Sequence, residues 1–332
     1  MRRNLITLMI FASLAASLTT LAAFDLYHFA HRAGSQPAKL IIIEPGSPLK
    51  KIALKLQNHK IINSSQRFII LNRILQSSNL LKAGEYRIMA AASPLQIITT
   101  LKQGRVYQRQ ISIPEGFTLQ QIGARLQAHG LCQKDDFKEL STSPTILKRW
   151  QIPGSNLEGY LFPSTYNYSR QTSCRQIVVQ MLNTGQKQLQ KLTAKNSDDS
   201  LNRHQILTLA SIIQKEAGNN DEMPLIASVF HNRLQRKMRL ASDPTTIYAL
   251  GENFDGNLRR KDLRNPSPYN TYRHRGLPPG PICSPGDEAI SAVINPDQTD
   301  YLYFVSRNNG RHQFSKTLKE HNRAVRKYQL KR

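Results

Sequence analysis

Acidic residues are scarce in this sequence. The 332-residue chain has 22 Asp and Glu against 46 Lys and Arg, which gives a formal net charge of +24. The basic residues are spread along the whole chain, so the pattern predicts a basic surface and excludes a basic tail as the source of the charge. Such a surface attracts polyanions, namely nucleic acid, anionic lipid head groups or an acidic polymer.

Cysteine is also scarce, with Cys132, Cys174 and Cys283 lying far apart. No Cys or His residues are spaced as zinc ligands, and the sequence therefore predicts no metal site and no cofactor. In an oxidising compartment one disulfide is possible, with one thiol left over. We favour the alternative, in which all three cysteines are small buried hydrophobic side chains.

Long uncharged apolar runs are absent except for Leu5–Phe24, which follows Arg2 and Arg3. At about 1.5 Å per residue, a helix of this length spans about 30 Å, the hydrocarbon core of a bilayer. The arginines at residues 1–4 would stay cytoplasmic, so we expect a single-pass anchor in the inner membrane, with the rest of the chain periplasmic. A signal peptide cleaved near Leu21–Ala23 is the alternative. Either topology argues against nucleic acid as a partner.

A polar linker at residues 25–39 leads to a small domain at residues 40–110. The patterns predict strands at Leu40–Ile43 and Gly84–Ile88 and helices at Leu49–Leu56, Phe68–Leu75 and Pro94–Leu101. This order of strands and helices is similar to that of LysM-type glycan-binding modules, which is an analogy of fold.

The opening strand, glycine turn and helix of this domain return seventy residues later. The matching pairs are Gly46 and Gly116, Leu49 and Leu119, Ile52 and Ile122, Leu56 and Leu126, and His59 and His129. Two copies indicate a duplicated βα unit, since a solenoid needs at least about three repeats.

Residues 111–332 have the pattern of a larger α+β domain. The predicted elements are a helix at Asp135–Trp150 broken near Pro144, an extended segment at Leu157–Tyr166, helices at Arg175–Leu192, Leu207–Glu216, Asp221–Lys237 and Ser242–Gly251, and a strand at Tyr301–Val305. Thr193–His204 is predicted to be an exposed loop. The predicted fold class is therefore α+β, with an N-terminal transmembrane helix, a small LysM-like domain and a larger domain.

Glu216 stands at the end of the apolar stripe formed by Leu209, Ile212 and Ile213. A carboxyl group on a face that points into protein is desolvated, and its pKa should rise. A carboxyl group that stays protonated near neutrality can act as a general acid. The alternative is a solvated Glu at a fraying helix end, with Gly218 as the helix cap.

Other candidate site residues follow from their surroundings. Glu158 beside Gly159 is a second carboxylate, which could instead cap a helix or pair with a basic residue. Asn232 should face inward from its helix, where it could bind substrate or the backbone of a neighbouring loop. Asp243 follows a predicted helix cap. A further candidate is the rigid loop with Tyr269, Asn270 and Tyr272, which suits sugar recognition by stacking and hydrogen bonding.

Several motifs in fixed order resemble those of the YceG-like, or MltG-type, endolytic murein transglycosylases. The motifs are Leu157–Pro163, Ala210–Glu216, Val229–Leu234, Ser242–Thr245, Ser267–Tyr272, Gly276–Gly280 and Tyr301–Val305. The resemblance implies a LysM-like domain followed by a catalytic domain, with Glu216 as the catalytic glutamate. The chain departs from the usual family pattern at Ala241, Ser164 and Gln214.

The resemblance implies cleavage of the β-1,4 bond between N-acetylmuramic acid and N-acetylglucosamine in nascent glycan strands, leaving a 1,6-anhydro end. It also implies work beside penicillin-binding synthases. The basic surface suits an anionic membrane and the carboxylates of stem peptides. The alternatives are a non-catalytic peptidoglycan-binding scaffold and a hydrolytic muramidase, in which Glu158 or Asp243 would supply the second carboxylate.

Overall fold

The computed structural model describes residues 2–194 and 201–330. The chain divides into two compact units. The first runs up to Arg109 and includes Asn167–Gln171, and the second comprises Gln110–Tyr166 and the residues from Thr172 onward. The boundary expected from the sequence was at residue 110, and Asn167–Gln171 was expected in the larger domain.

The N-terminal helix α1 covers Arg2–His31. Within the described residues it is the one helix long and apolar enough to cross a membrane. The helix continues through the first part of the predicted linker. Its last turns are held in place because Phe29 and Ala30 are buried in the core of the first unit. The prediction of a linker from residue 25 was therefore wrong over residues 25–31.

The first unit is a two-stranded antiparallel sheet with helices packed on it. Its elements are β1 (Lys39–Ile43), α2 (Leu49–Asn58), α3 (Ser65–Ile74), β2 (Gly84–Ile88) and α4 (Pro94–Gln103). Ile41 pairs with Tyr86 in the sheet, and both side chains are fully buried. The core also contains Leu56, Phe68 and Leu101. These elements were predicted, within a few residues at each end.

The second unit begins with the repeat of β1 and α2. The elements that follow α4 along the chain are β3 (Arg109–Ile113), α5 (Leu119–Ala128), α6 (Lys134–Thr142), α7 (Pro144–Arg149), β4 (Ser164–Tyr168), α8 (Cys174–Thr193), α9 (Arg203–Glu216), α10 (Met223–Gln235), α11 (Asp243–Leu250), α12 (Asp287–Ile294), β5 (Tyr303–Ser306), β6 (His312–Ser315) and α13 (Leu318–Val325). β3 pairs with β4, and β5 pairs antiparallel with β6. The α+β fold class is confirmed.

The duplicated turn has the same backbone in both copies. Gly46 and Gly116 have φ values of 71° and 75°, in the left-handed region where a side chain is disfavoured. Each glycine stands between a five-residue strand and a ten-residue helix. The predicted repeat of a strand, a glycine turn and a helix is therefore confirmed.

Helix α9 is the centre of the core of the second unit. Its residues Ile206–Ile213 are all buried, and it packs against α10 and α12. The surrounding cluster contains Met223, Phe230 and Ile290. Burying a helix on nearly all sides fixes its C-terminal end, where Glu216 lies.

The extended segment predicted at Leu157–Tyr166 is wrong in its first half. Residues 158–160 form a turn, in which the Tyr160 N–H donates to the Leu157 carbonyl at 3.0 Å, and β4 begins only at Ser164. The adjacent residues Leu157 and Glu158 are both buried, which a strand with one exposed face would not allow. Of the predicted loop at Thr193–His204, residues 195–200 lie outside the described residues.

The preferred interpretation of the cysteines was also wrong. Cys132 and Cys174 form a disulfide with their Cα atoms 4.7 Å apart, and Cys283 is free and buried. The bond ties the segment after α5 to the first residue of α8. The less favoured prediction, one disulfide with one thiol left over, is the one observed.

Candidate active site

Glu216 is the last residue of α9, and local sequence explains where that helix begins and ends. Asn202 accepts a hydrogen bond from the Gln205 N–H at 3.0 Å, and the Gln205 side chain accepts one from the Asn202 N–H at 2.9 Å, which is a capping box. The helix stops at Ala217, which has extended backbone. Ala217 is therefore the C-terminal cap, and the interpretation of Gly218 in that role was wrong.

Among the described residues, the Glu216 carboxyl group has one direct hydrogen-bond partner. The Ser242 hydroxyl donates to Glu216 Oε1 at 2.5 Å. Burial raises the pKa of Glu216 to about 7 and is the largest effect. The charge of Asp243 also raises this pKa, whereas the Ser242 hydrogen bond and the charge of Arg233 lower it. Since the side chain is still partly exposed, a substrate can reach a carboxyl group that is half protonated near neutrality.

Ser242 contacts the catalytic candidate, although the sequence predicted only a helix cap at this position. It stands at the N-cap of α11, as predicted, but its side chain makes no capping hydrogen bond and points to Glu216 instead. Its N–H donates to Thr271 Oγ1 at 3.0 Å, and the Thr271 carbonyl accepts from the Ala241 N–H. The serine is thereby fixed by a buried loop.

Asp243 and Tyr272 form a pair beside Glu216. The Tyr272 hydroxyl donates to Asp243 Oδ1 at 2.6 Å. Asp243 is exposed and Tyr272 is half-buried, and the charge of Asp243 acts on Glu216. The structure thus brings two of the predicted site residues to the catalytic candidate.

Asn270 is fully buried and saturated with hydrogen bonds. Its amide nitrogen donates to the carbonyls of Leu263 and Asn265, and its oxygen accepts from the Thr246 hydroxyl and the Tyr272 N–H. A buried amide with four partners holds its loop together, and a substrate contact would require one of these bonds to break. This geometry does not support the expected substrate contact.

The Asn232 side chain, like that of Asn270, is engaged by the protein backbone. Its amide nitrogen donates to the Thr299 and Tyr301 carbonyls at 2.7 and 3.0 Å. The sequence left open whether this inward-facing amide binds substrate or backbone, and in the structure it binds backbone carbonyls. The next residue, Arg233, was missed: it donates to the Leu302 and Leu240 carbonyls and lies over the Tyr303 ring. Its charge acts on Glu216.

Glu158 lies in a second group of residues. Both of its carboxylate oxygens accept from the Leu119 N–H, at 2.9 and 3.1 Å, and the Tyr248 hydroxyl donates to it at 3.2 Å. Burial raises the pKa of Glu158 to about 7, although these hydrogen bonds favour the charged form. Leu119 is the first residue of α5, so Glu158 caps that helix.

Tyr269 belongs to the same group as Glu158. Its ring packs against that of Tyr248 with centroids 4.9 Å apart, and burial together with the charge of Glu158 raises its pKa. The side chain is half-buried, so one face of the ring can still meet a ligand.

The Ser242–Glu216 hydrogen bond makes a prediction about pH dependence. Removing the donor in Ser242→Ala should raise the pKa of Glu216, because the hydrogen bond favours the carboxylate. The enzyme would keep its acid protonated to higher pH, so the alkaline limb of kcat/KM should move to higher pH while kcat falls about ten-fold. A pH–rate profile measures both effects.

Asp243→Asn is the matched comparison for Ser242→Ala. The charge of Asp243 raises the pKa of Glu216, and the amide oxygen of Asn can still accept from Tyr272. The alkaline limb should therefore move to lower pH. If the alkaline limbs of the two variants moved in the same direction, the assignment of Glu216 as the titrating acid would be contradicted.

The backbone just after Glu216 is packed tightly against the β5–β6 turn. Asn219 donates to the Gly310 carbonyl at 2.7 Å, and a Cβ on Gly218 would lie 2.7 Å from that same oxygen. Gly218→Ala should therefore displace the turn and lower stability by about 1–3 kcal/mol. Thermal melting should show the loss, while Gly154→Ala, where a Cβ meets no atom closer than 3.9 Å, should melt like the wild type. Equal melting of both variants would contradict the close contact.

Comparison with known proteins gives a consistent set of relatives. The model of the YceG-like family matches residues 41–327. An endolytic murein transglycosylase of Bacillus subtilis is 36% identical over 307 residues, covering 87% of this chain and 84% of that protein. One from Streptococcus pneumoniae is 31% identical over 328 residues, covering 88% of this chain and 59% of that protein.

A solved structure agrees with the sequence comparisons. The crystal structure of a YceG-like protein from Listeria monocytogenes matches with a TM-score of 0.60 at 35% identity, covering 86% of this chain and 98% of that one. Because the family model matches residues 41–327 and relatives at 31–36% identity cover most of the chain, the chain belongs to the YceG-like family.

Proposed function

We propose that this chain is an endolytic murein transglycosylase with Glu216 as its acid and base. The observation that carries the proposal is a partly exposed carboxyl group, that of Glu216, whose pKa burial raises to about 7 and which ends the Ala210–Glu216 motif. The names of the bacterial relatives supply the substrate class, which is murein.

In the first step, protonated Glu216 gives its proton to the glycosidic oxygen between N-acetylmuramic acid and N-acetylglucosamine. The bond from that oxygen to C1 of the muramic sugar breaks, and the N-acetyl group of the same sugar stabilises the positive charge at C1. The Ser242 hydroxyl stabilises the carboxylate that Glu216 becomes, because it already donates to Oε1.

In the second step, the Glu216 carboxylate takes the proton of the muramic acid 6-hydroxyl, and that oxygen bonds to C1. The product is a 1,6-anhydro ring, and the acid is regenerated without water. An intramolecular hydroxyl has the advantage of proximity over a water molecule. A single group acting as acid and then as base suits a pKa near the working pH.

The other predicted site residues have supporting roles in this proposal. Asp243 and Tyr272 flank Glu216 and orient the substrate, while Tyr269 offers a ring face to a sugar. Glu158 supports α5 rather than acting as a second catalytic carboxylate, because its oxygens are already engaged by the Leu119 N–H and the Tyr248 hydroxyl.

We further propose that α1 is retained as a single-pass anchor in the inner membrane, with the catalytic unit in the periplasm. The length and composition of the helix support this. The first unit would then be a LysM-like module next to the anionic membrane surface, where nascent strands emerge beside penicillin-binding synthases. A cleaved signal sequence would pass the same test of length and composition.

The test is digestion of uncrosslinked glycan strands by the full chain in detergent, with the products weighed by mass spectrometry. The proposal predicts internal cuts and products one water lighter than hydrolysis products. Products with ordinary reducing ends would show a muramidase and would return attention to Glu158 and Asp243. Strands that bind but stay intact would show a scaffold.

A further inference from the structure

A shallow basic pocket lies beside the catalytic candidate, on the second unit. It has a volume of about 340 Å³ and is lined by Arg233, Met238, Arg239, Ala241, Arg275 and Tyr303. We call it the arginine pocket. Its lining among the described residues has three guanidinium groups and no acidic side chain, so the pocket is positively charged.

The three arginines are not equivalent. Arg233 is half-buried and fixed, because it donates to the Leu302 and Leu240 carbonyls and lies over the Tyr303 ring. Arg239 and Arg275 are exposed, and neither has an ion-pair or side-chain hydrogen-bond partner among the residues that the structure describes. The pocket thus has one rigid wall and two guanidinium groups available to a ligand.

The arginine pocket borders the site of Glu216. Ala241, on its wall, directly precedes Ser242, whose hydroxyl donates to Glu216. Arg233 is close enough for its charge to act on the Glu216 carboxyl group. A polymer that places a glycosidic bond at Glu216 therefore brings its neighbouring groups to the pocket.

We propose that the arginine pocket is a subsite for a carboxylate of the glycan strand, held by Arg239 and Arg275 against the wall formed by Arg233 and Tyr303. Guanidinium groups bind carboxylates through paired, charge-assisted hydrogen bonds. The inference rests on the proposed function, since it takes murein as the substrate. The carboxylate belongs either to the lactyl group of muramic acid or to the stem peptide, and both have the same chemistry.

This subsite gives the enzyme a means of selection that Glu216 alone does not provide. A polymer of N-acetylglucosamine has the same linkage and the same N-acetyl groups but no carboxylate. A substrate without a carboxylate forms no charge-assisted hydrogen bonds with Arg239 and Arg275 and therefore binds more weakly. The arginine pocket would therefore favour murein over neutral polymers of the same sugars.

Binding of fluorescently labelled strands to the full chain tests the subsite. All variants carry Glu216→Gln, so that no strand is cut and the result does not depend on the cleavage chemistry. The strands are peptide-bearing, or stripped of peptide so that the lactyl carboxylates are free, or stripped and then amidated so that no carboxylate remains.

The test variant is Arg239→Gln/Arg275→Gln, and the control is Arg125→Gln/Arg260→Gln. The control arginines are exposed and have no side-chain partner among the described residues, so both doubles remove the same charge. We expect the test variant to bind carboxylate-bearing strands at least about ten-fold more weakly than the control. On amidated strands the two doubles should bind equally.

The pattern among the strands identifies the carboxylate. A loss confined to peptide-bearing strands assigns it to the stem peptide, and a loss on stripped strands assigns it to the lactyl group. Equal weakening by the test and control doubles, or an equal loss on amidated strands, would overturn the subsite. Failure of the wild type to form anhydro products would overturn the proposed function while leaving this binding result intact.

Discussion

Glu216→Gln should lower turnover by about 10³-fold while leaving strand binding intact. The amide has nearly the shape of the carboxyl group and can still accept the Ser242 hydrogen bond, but it cannot give or take the proton. Turnover on glycan strands and binding of labelled strands should be measured on the same preparations. Retention of more than about a tenth of the activity would mean that another group is the acid.

The same substitution should stabilise the folded protein in a pH-dependent way. The pKa of Glu216 is about 7 in the folded chain against an ordinary value of 4.5, so the folded state favours the neutral form. Ionisation of Glu216 therefore destabilises the folded state. This destabilisation is absent below about pH 4.5 and complete above about pH 7. Glu216→Gln should add about 1–3 kcal/mol at pH 8 and little at pH 4.

Melting temperatures of the wild type and of Glu216→Gln at pH 4 and pH 8 test whether the stability gain increases with pH. A larger gain for the variant at pH 8 than at pH 4 is expected. A gain of the same size at both would mean that packing, rather than the buried charge, separates the two proteins.

Removing the disulfide in Cys132→Ser/Cys174→Ser should lower the free energy of unfolding by about 2–4 kcal/mol. The bond joins residues 42 apart in sequence and restricts the unfolded chain, while it holds α8 to the segment after α5. Thermal or urea unfolding measures the loss.

The control for the disulfide is reduction. A reductant should destabilise the wild type and leave Cys132→Ser/Cys174→Ser unchanged, because Cys283 is a free thiol. If reduction affects both proteins equally, or neither, the stability does not come from this bond.

Local patterns in the sequence were enough to find the catalytic candidate. The apolar stripe of α9 repeats at helical spacing, and Glu216 continues it, so both the helix and the raised pKa could be anticipated. The same holds for the glycine turns at Gly46 and Gly116, which depend on backbone conformation within a few residues.

Contacts between distant segments could not be predicted in this way. Ser242 stands where a helix cap is expected, and nothing within its own segment shows that its hydroxyl turns to Glu216, 26 residues earlier. The pairing of Cys132 with Cys174 likewise depends on how α5 and α8 meet.

Where a tertiary contact competes with a local pattern, the tertiary contact prevails. The alternation after Leu157 is typical of a strand, but Glu158 binds the N–H of Leu119 and the segment turns there. Asn270 was predicted to contact a sugar from its residue type, yet its amide makes four hydrogen bonds within the protein.

The most direct test of the central claim, that Glu216 closes an internal ring rather than activating water, is digestion in water enriched in oxygen-18. We expect muramic ends that are one water lighter than hydrolysis products and carry no oxygen-18, and we expect Glu216→Gln to form none of them. Reducing ends that incorporate one oxygen-18 at C1 at the moment of cleavage would contradict it and show that water is the nucleophile.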